Sequence, residues 1–299
     1  MRHPRGWRSF QERWEPRVET RTQEKRVNEP VPTLAPASHR RRGTQAARHL
    51  AEAWPEVIAR LRGAESRLLL LDFDGTLTAL RRHPEDVRFS ERGKRILRRL
   101  ARLKNISVAI VSGRKLKTIE KAVGVEGLGY VGLHGAERHE ETTVLSGFVR
   151  RTLAAALKNA RARLKTLRGI EIEDKGLSFA VHYRGARRPN VDAGSRILAE
   201  ILAGTDNELR VLNGARVWEV LPRDIPGKGA AVVELLEALP GPKVAMYFGD
   251  DETDEEAFAA LPGQITVKVG SGTNTRAAFH VRDPAEVLHF LSRLEKELS

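Results

Sequence analysis

The stretch Leu68-Leu69-Leu70-Leu71-Asp72-Phe73-Asp74-Gly75-Thr76-Leu77 decides the fold of this chain. Four consecutive leucines are too few for a helix and carry no polar face, so they read as a strand buried on both sides. Such strands belong to parallel sheets covered by helices on both faces. The run stops at two aspartates spaced by one residue, and Gly75 loosens the turn that follows. Ligand sites in open α/β sheets form at the carboxyl ends of strands. Asp72 and Asp74 therefore stand where chemistry is expected.

The same grammar extends outward from this strand. A lead-in helix is predicted from Ala46, Leu50, Trp54 and Ile58, which recur at helical spacing. After the leucine strand come a helix near residues 91–103, a strand over 106–111 ending in Ser112-Gly113-Arg114, a helix over 115–123 and a strand over 130–133. Late in the chain a Pro-Gly-Lys-Gly turn opens a helix over 229–239. A strand over 244–248 ends in Gly249-Asp250-Asp251, and a strand over 265–269 and a helix over 285–298 follow. Strands alternating with helices define a parallel, helix-covered sheet.

Residues 142–222 break that pattern. Helices are predicted over 148–167 and 191–202, with short alternating strands over 170–174, 177–184, 208–212 and 216–221, and a turn at Asn213-Gly214. The expected fold is α/β: a doubly wound, Rossmann-like parallel-sheet core over 49–141 and 223–299, interrupted by an inserted α+β cap domain over 142–222.

Composition narrows the function. The chain has 299 residues, a formal net charge of +13 and no cysteine. That excludes disulfide frameworks, zinc fingers and thiol nucleophiles, and it fits a reducing, cytoplasmic location. No apolar run approaches the roughly 18 residues that span a membrane, so no membrane partner is expected. Residues 1–48 hold twelve Lys/Arg against five Asp/Glu, so +7 of the +13 lies there. That segment reads as a disordered basic tail without the apolar core of a secretory signal. A polyanion-binding arm is the competing reading, but nucleic acid is not the expected partner.

Folding a parallel sheet brings strand ends onto one rim. Here the rim would gather Asp72, Asp74, Asp250, Asp251 and Asp254 with Ser112 and Lys228. Five carboxylates repel one another unless a cation sits among them, and oxygen ligands alone favour a hard ion, above all Mg²⁺. A hard cation beside a lysine suits phosphoryl transfer. Without cysteine, a covalent route needs another nucleophile, and Asp72 is the best placed.

These residues carry a resemblance. Asp72-Phe73-Asp74-Gly75-Thr76-Leu77, Ser112-Gly113-Arg114, Gly227-Lys228-Gly229 and Gly249-Asp250-Asp251-Glu252-Thr253-Asp254-Glu255 resemble, in order, the four signatures of the haloacid dehalogenase-like phosphatases. Gly132-Leu133-His134-Gly135-Ala136-Glu137, Glu173-Asp174-Lys175-Gly176-Leu177-Ser178, Val181-His182-Tyr183-Arg184, Trp218-Glu219-Val220 and the tail from Gly270 through Thr275 to Asp283-Pro284 resemble the trehalose-6-phosphate phosphatase family. One departure is Leu221, where that family often has Arg. It is expected to weaken a contact between cap and core.

The resemblance implies a Mg²⁺-dependent phosphatase of trehalose 6-phosphate working through an aspartyl phosphate. Asp72 would be the nucleophile, Asp74 the acid and base, and Ser112 and Lys228 the phosphoryl holders. Asp72, Asp74 through its carbonyl, Asp250 and Asp251 would serve the metal, with Asp254 in support. Gly113, Arg114, His134, Glu173, Lys175 and Glu219 would contact substrate. The expected partner is a small sugar phosphate, and the expected state a monomer. Another sugar phosphate, such as that of sucrose or mannosylglycerate, remains an alternative on the same core.

Plainer roles compete at each position. Asp72 and Asp74 could be turn residues, Ser112 a helix cap, Lys228 a solvated charge, and Asp251 and Asp254 first-turn acids. Glu173, Lys175 and Glu219 could form an exposed ion pair. His134 and His182 could be satisfied core histidines.

Overall fold

The structure is a computed structural model and describes residues 46–81, 86–138 and 141–299. The basic tail lies outside the described residues as far as residue 45. Ala47 N donates to the Gly272 carbonyl at 2.9 Å, and Arg48 begins a strand.

In chain order the elements are β1 (Arg48–His49), α1 (Leu50–Gly63), β2 (Ser66–Leu71), α2 (Glu91–Leu100), β3 (Ile106–Val111), α3 (Leu116–Val123) and β4 (Gly129–Gly132). A 3-10 turn (Leu133–Gly135) leads to β5 (Glu137–Arg138) and β6 (Glu141–Thr142). Then come α4 (Gly147–Leu164), β7 (Glu171–Asp174), β8 (Phe179–His182), α5 (Arg188–Ala203), β9 (Leu209–Gly214) and β10 (Val217–Pro222). The chain closes with α6 (Gly227–Glu237), β11 (Lys243–Gly249), α7 (Glu252–Ala260), β12 (Ile265–Val269), β13 (Phe279–Val281) and α8 (Pro284–Leu298).

Nine strands form one sheet in the order β1-β13-β12-β11-β2-β3-β4-β5-β6. Pairing is parallel from β1 through β4, and antiparallel only for the β4-β5-β6 edge. The leucine run explains its own burial. Leu69 and Leu71 face the layer made by α1, α2, α3 and α8, while Leu68 and Leu70 face α6 and α7. Alternation across a pleat thus needs apolar residues at every position. The Rossmann-like α/β core is as expected.

The segment between β6 and α6 forms its own antiparallel sheet, β7-β8-β10-β9. It backs onto α4 and α5 through Leu153, Ala160, Phe179, Val181, Leu198, Trp218 and Val220. A separate small cluster of Leu133, Ala136, Leu212, Leu221 and Ile225 joins this layer to the larger sheet. Leu221 is fully buried there. The residue expected to weaken the junction makes an apolar contact across it. The turn expected at Asn213-Gly214 lies two residues later. Both residues stay in β9, and Arg216 takes the left-handed conformation at φ 63°. The expected lead-in helix starts only at Leu50, because Ala46 precedes the β1 pairing.

Candidate active site

The carboxyl ends of β2, β3 and β11 and the start of α6 meet at one point. β2 delivers Asp72, 5% exposed, and α6 delivers Lys228, 2% exposed. Lys228 Nζ donates to Asp72 Oδ1 at 2.8 Å and to Asp254 Oδ1 at 2.7 Å. A solvated lysine is ruled out by that burial. Burial opposes the ammonium, yet Asp254 and Asp72 hold its pKa well above the ordinary lysine value. Asp72 is pushed up to about 8, chiefly by burial and also by Asp254 and Asp251, against the pull of Lys228. Burial and Asp72 likewise raise Asp250.

Asp254 organises the group. Its Oδ1 also accepts from Tyr247 OH at 2.6 Å, and its Oδ2 accepts from the amides of Asp250 at 2.8 Å and Asp251 at 3.0 Å. Asp251 is the N-cap of α7. Its Oδ1 accepts from Thr253 N at 2.9 Å and from Asp254 N at 3.3 Å, and with Asp254 it forms a reciprocal capping box. Asp254 is thus a first-turn acid of α7 and Asp251 its cap, and Asp254 serves Lys228 as well.

Oxygen atoms of Asp72, Asp250 and Asp254 lie within 4.8 Å of one another. Asp254 spends both oxygens on the bonds above, which leaves Asp72 and Asp250 the freer ligands. Gly75 adopts φ +91°, and a Cβ there would run into the Asp250 carboxylate. Only glycine lets the Asp72–Asp74 loop approach so closely. An all-oxygen set in which burial, and then the neighbouring carboxylates, raises Asp72 and Asp250 fits a hard divalent cation. The cluster can hold a metal ion.

Asp74 and Asp251 do not point into that oxygen cluster. Both Asp74 oxygens accept from Arg114, from Nε and Nη2, at 2.6 Å each. The Arg114 guanidinium also sits 5.4 Å from the centre of the Phe73 ring. Ser112, 1% exposed, accepts from Arg114 N at 3.2 Å. It caps no helix, since α3 has Lys115 at its N-cap without a side-chain bond.

The smaller sheet supplies the other wall. Lys175 Nζ donates to Glu219 Oε2 at 2.7 Å and to the Gly113 carbonyl at 3.0 Å. Ser178 Oγ donates to Glu219 Oε1 at 2.6 Å. Lys175 and Glu219 are buried, so the exposed-pair reading fails for them. Glu173 does form a more open pair, 3.1 Å from His182 Nε2, and that contact helps hold its pKa below the ordinary glutamate value despite partial burial. One pocket is lined by Asp72, Asp74, Ser112, Gly113, Arg114, His134, Glu173, Lys175, Glu219, Lys228 and Asp251. Asp250 lies just behind it.

One residue escaped sequence reading. Lys268 Nζ donates to the Asp250 carbonyl and sits 3.7 Å from Glu255 Oε1. Thr275 Oγ1 donates to the same Glu255 oxygen at 2.7 Å. A lone charge within the apolar strand Ile265-Thr266-Val267-Lys268-Val269 was the available signal.

The doubly wound sheet, with the acid set at its strand ends and a lysine opening a helix, has a haloacid dehalogenase-like fold. Its fold matches a haloacid dehalogenase-like hydrolase from Bacteroides thetaiotaomicron with a TM-score of 0.56 at 15% identity, over 77% of this chain and 99% of that one. Residues 70–285 match the family described as trehalose-phosphatase, and the chain belongs to that family. It is 32% identical over 246 residues to the trehalose-phosphate phosphatase of Mycobacterium marinum, covering 77% of this chain and 62% of that protein. It is 26% identical to the solved Aspergillus fumigatus trehalose-6-phosphate phosphatase, with a TM-score of 0.60 over 84% of this chain and 99% of that one. The chain spans about three-fifths of the length of the Mycobacterium relative. Among the described residues no helix is long and apolar enough to cross a membrane.

Proposed function

We propose that this chain hydrolyses trehalose 6-phosphate to trehalose and phosphate. One observation carries the reading. The buried Asp72–Lys228 pair and the buried Lys175–Glu219 pair line the same pocket, the first at the larger sheet and the second at the smaller one. The first group suits a phosphoryl unit, and the second suits hydroxyls, which accept from an ammonium and donate to a carboxylate. The names of the Mycobacterium and Aspergillus relatives favour trehalose as the sugar.

In this reading an Asp72 oxygen attacks phosphorus. The ester P–O bond breaks, and its electron pair leaves on the sugar oxygen, which takes a proton from Asp74. Asp74 then removes a proton from water, the water oxygen attacks phosphorus, and the Asp72–phosphorus bond breaks to free phosphate. Lys228 and the Ser112 hydroxyl hold phosphoryl oxygens throughout. The Arg114–Asp74 pair must part for Asp74 to move its proton, since Arg114 occupies both carboxylate oxygens. Asp72, Asp250 and the Asp74 carbonyl would hold Mg²⁺, with Asp251 and Asp254 in support. When bound, the ion supplies charge that neutralises the phosphoryl oxygens. Glu173, Lys175 and Glu219 orient the sugar, and Gly113 and Arg114 line its path. The enzyme is read as a cytoplasmic monomer, and its lack of cysteine fits a reducing compartment.

The test is phosphate release from a panel of sugar phosphates with and without Mg²⁺. The expected result is the highest kcat/KM on trehalose 6-phosphate, lost on chelation. A higher value on sucrose or mannosylglycerate phosphate overturns the sugar assignment, and turnover unaffected by chelation overturns the metal.

A further inference from the structure

Residues 147–168, helix α4 and its exit, hold seven Lys/Arg and no Asp or Glu. The helix buries Val149, Leu153, Ala156, Ala160 and Leu164 behind the smaller sheet. Opposite them, Phe148, Arg151, Ala155, Lys158, Ala162 and Lys165 follow one another at intervals of three and four residues, which sets them in one row. All six are exposed. At 1.5 Å per residue the row is about 26 Å long. Off the row, Arg161 lies 3.4 Å from Asp174 and Arg163 pairs with Glu200. Among the described residues, Arg151, Lys158 and Lys165 have no acidic partner. The end of the row is apolar as well as basic. Phe148 is 51% exposed and Val144, just before the helix, 87%. They are two of the three large apolar side chains exposed among the described residues.

We propose that this face of α4 docks the protein on an anionic lipid surface, with Arg151, Lys158 and Lys165 over the headgroups and Phe148 and Val144 entering the interface. Charge complementarity selects an anionic partner. Each Lys or Arg near such a surface adds attraction, and an apolar side chain beside a basic row supplies the second signal that stable peripheral binding needs. A nucleic acid would use the cations, but an aliphatic Val144 cannot stack on a base. Docking requires no membrane-spanning helix. It also leaves the pocket open. Trp218 and Val220 of β10 face α4, whereas Glu219 between them lines the pocket, so the row points away from it.

The test is co-sedimentation of the full chain with vesicles of phosphatidylcholine containing one-third phosphatidylglycerol, and with phosphatidylcholine alone. The expected result is binding to the anionic vesicles only, weakened by salt. Arg151→Gln, Lys158→Gln and Lys165→Gln together should lower the affinity about a hundredfold, and Val144→Ser with Phe148→Ser about tenfold, both with phosphate release unchanged. If the triple variant does not fold, the three single variants decide, each losing about fivefold. No binding of the unaltered chain to anionic vesicles, or full binding by the triple variant, overturns the proposal. A greater loss on replacing Arg40, Arg41 and Arg42 of the basic tail by Gln also overturns it. So does a serine double variant that binds vesicles normally while the triple variant loses affinity for a single-stranded oligonucleotide, which would make the row a nucleic-acid site.

Discussion

Lys175 Nζ, on the smaller sheet, donates to the main-chain carbonyl of Gly113, on the loop after β3, at 3.0 Å. The same ammonium is bonded to the buried Glu219. A residue expected to hold the sugar is thus tied to the loop expected to hold the phosphoryl group. This bond ties the smaller sheet to the loop after β3 beside the pocket.

Lys175→Met should be costly, because it leaves the Glu219 carboxylate buried with Ser178 as its remaining donor among the described residues. Breaking a buried pair by removing one partner costs about 3–5 kcal/mol. Lys175→Met combined with Glu219→Met should lose less, since no charge is left uncompensated. Denaturant unfolding of the single and double variants checks this. A double variant less stable than Lys175→Met would show that the pair itself is the stabilising element.

Asp72→Asn should reduce phosphate release to background while the fold survives or gains stability. Asn still accepts from Lys228, and the variant removes a carboxylate whose pKa is pushed up to about 8 by burial and by neighbouring acids. Asp74→Asn should lower turnover by about 10²–10⁴-fold, as loss of a general acid does. Turnover and the thermal midpoint are to be measured together. Near-normal turnover in Asp72→Asn would exclude the covalent route.

Lys268→Met should weaken divalent cation binding about tenfold, the effect typical of an outer partner of a metal site. Lys268 holds the Asp250 carbonyl and lies 3.4 Å from that of Asp251. Glu255→Gln should act in the same direction more weakly, by releasing Lys268 and Thr275. Calorimetric titration with Mg²⁺ reads this without turnover. Unchanged affinity in both variants would limit Lys268 to capping the loop.

His134 should make the fold acid-sensitive. Its folded pKa lies well below 6.5, so below pH 6.5 the unfolded chain binds a proton that the folded chain does not. That difference removes stability as pH falls. The thermal midpoint of His134→Gln should therefore drop less than that of the unaltered protein between pH 7.5 and 5. Parallel curves for the two proteins would mean that the ring is protonated in the fold.

The strand ends could be read from the residues because continuous apolar runs, their abrupt polar stops and the order of the acids along the chain are local properties. Asp72, Ser112, Lys228 and Asp250 fall at the ends of strands or the start of a helix, where their neighbours put them. The change of pattern over residues 142–222 was visible for the same reason, since period-2 alternation differs from fully apolar strands. Pairing is not local. Only the folded chain shows that Asp254 spends its oxygens on Lys228, Tyr247 and two amides, and that Arg114 occupies Asp74. It alone shows Lys175 and Glu219 buried rather than solvated, and Lys268 reaching the carbonyl of Asp250. Apart from the two amide bonds at the start of α7, each of these contacts joins residues from different segments of the chain, and burial decides their chemistry. A sequence states which charges exist, whereas tertiary packing decides which of them lose water and which partner each one keeps.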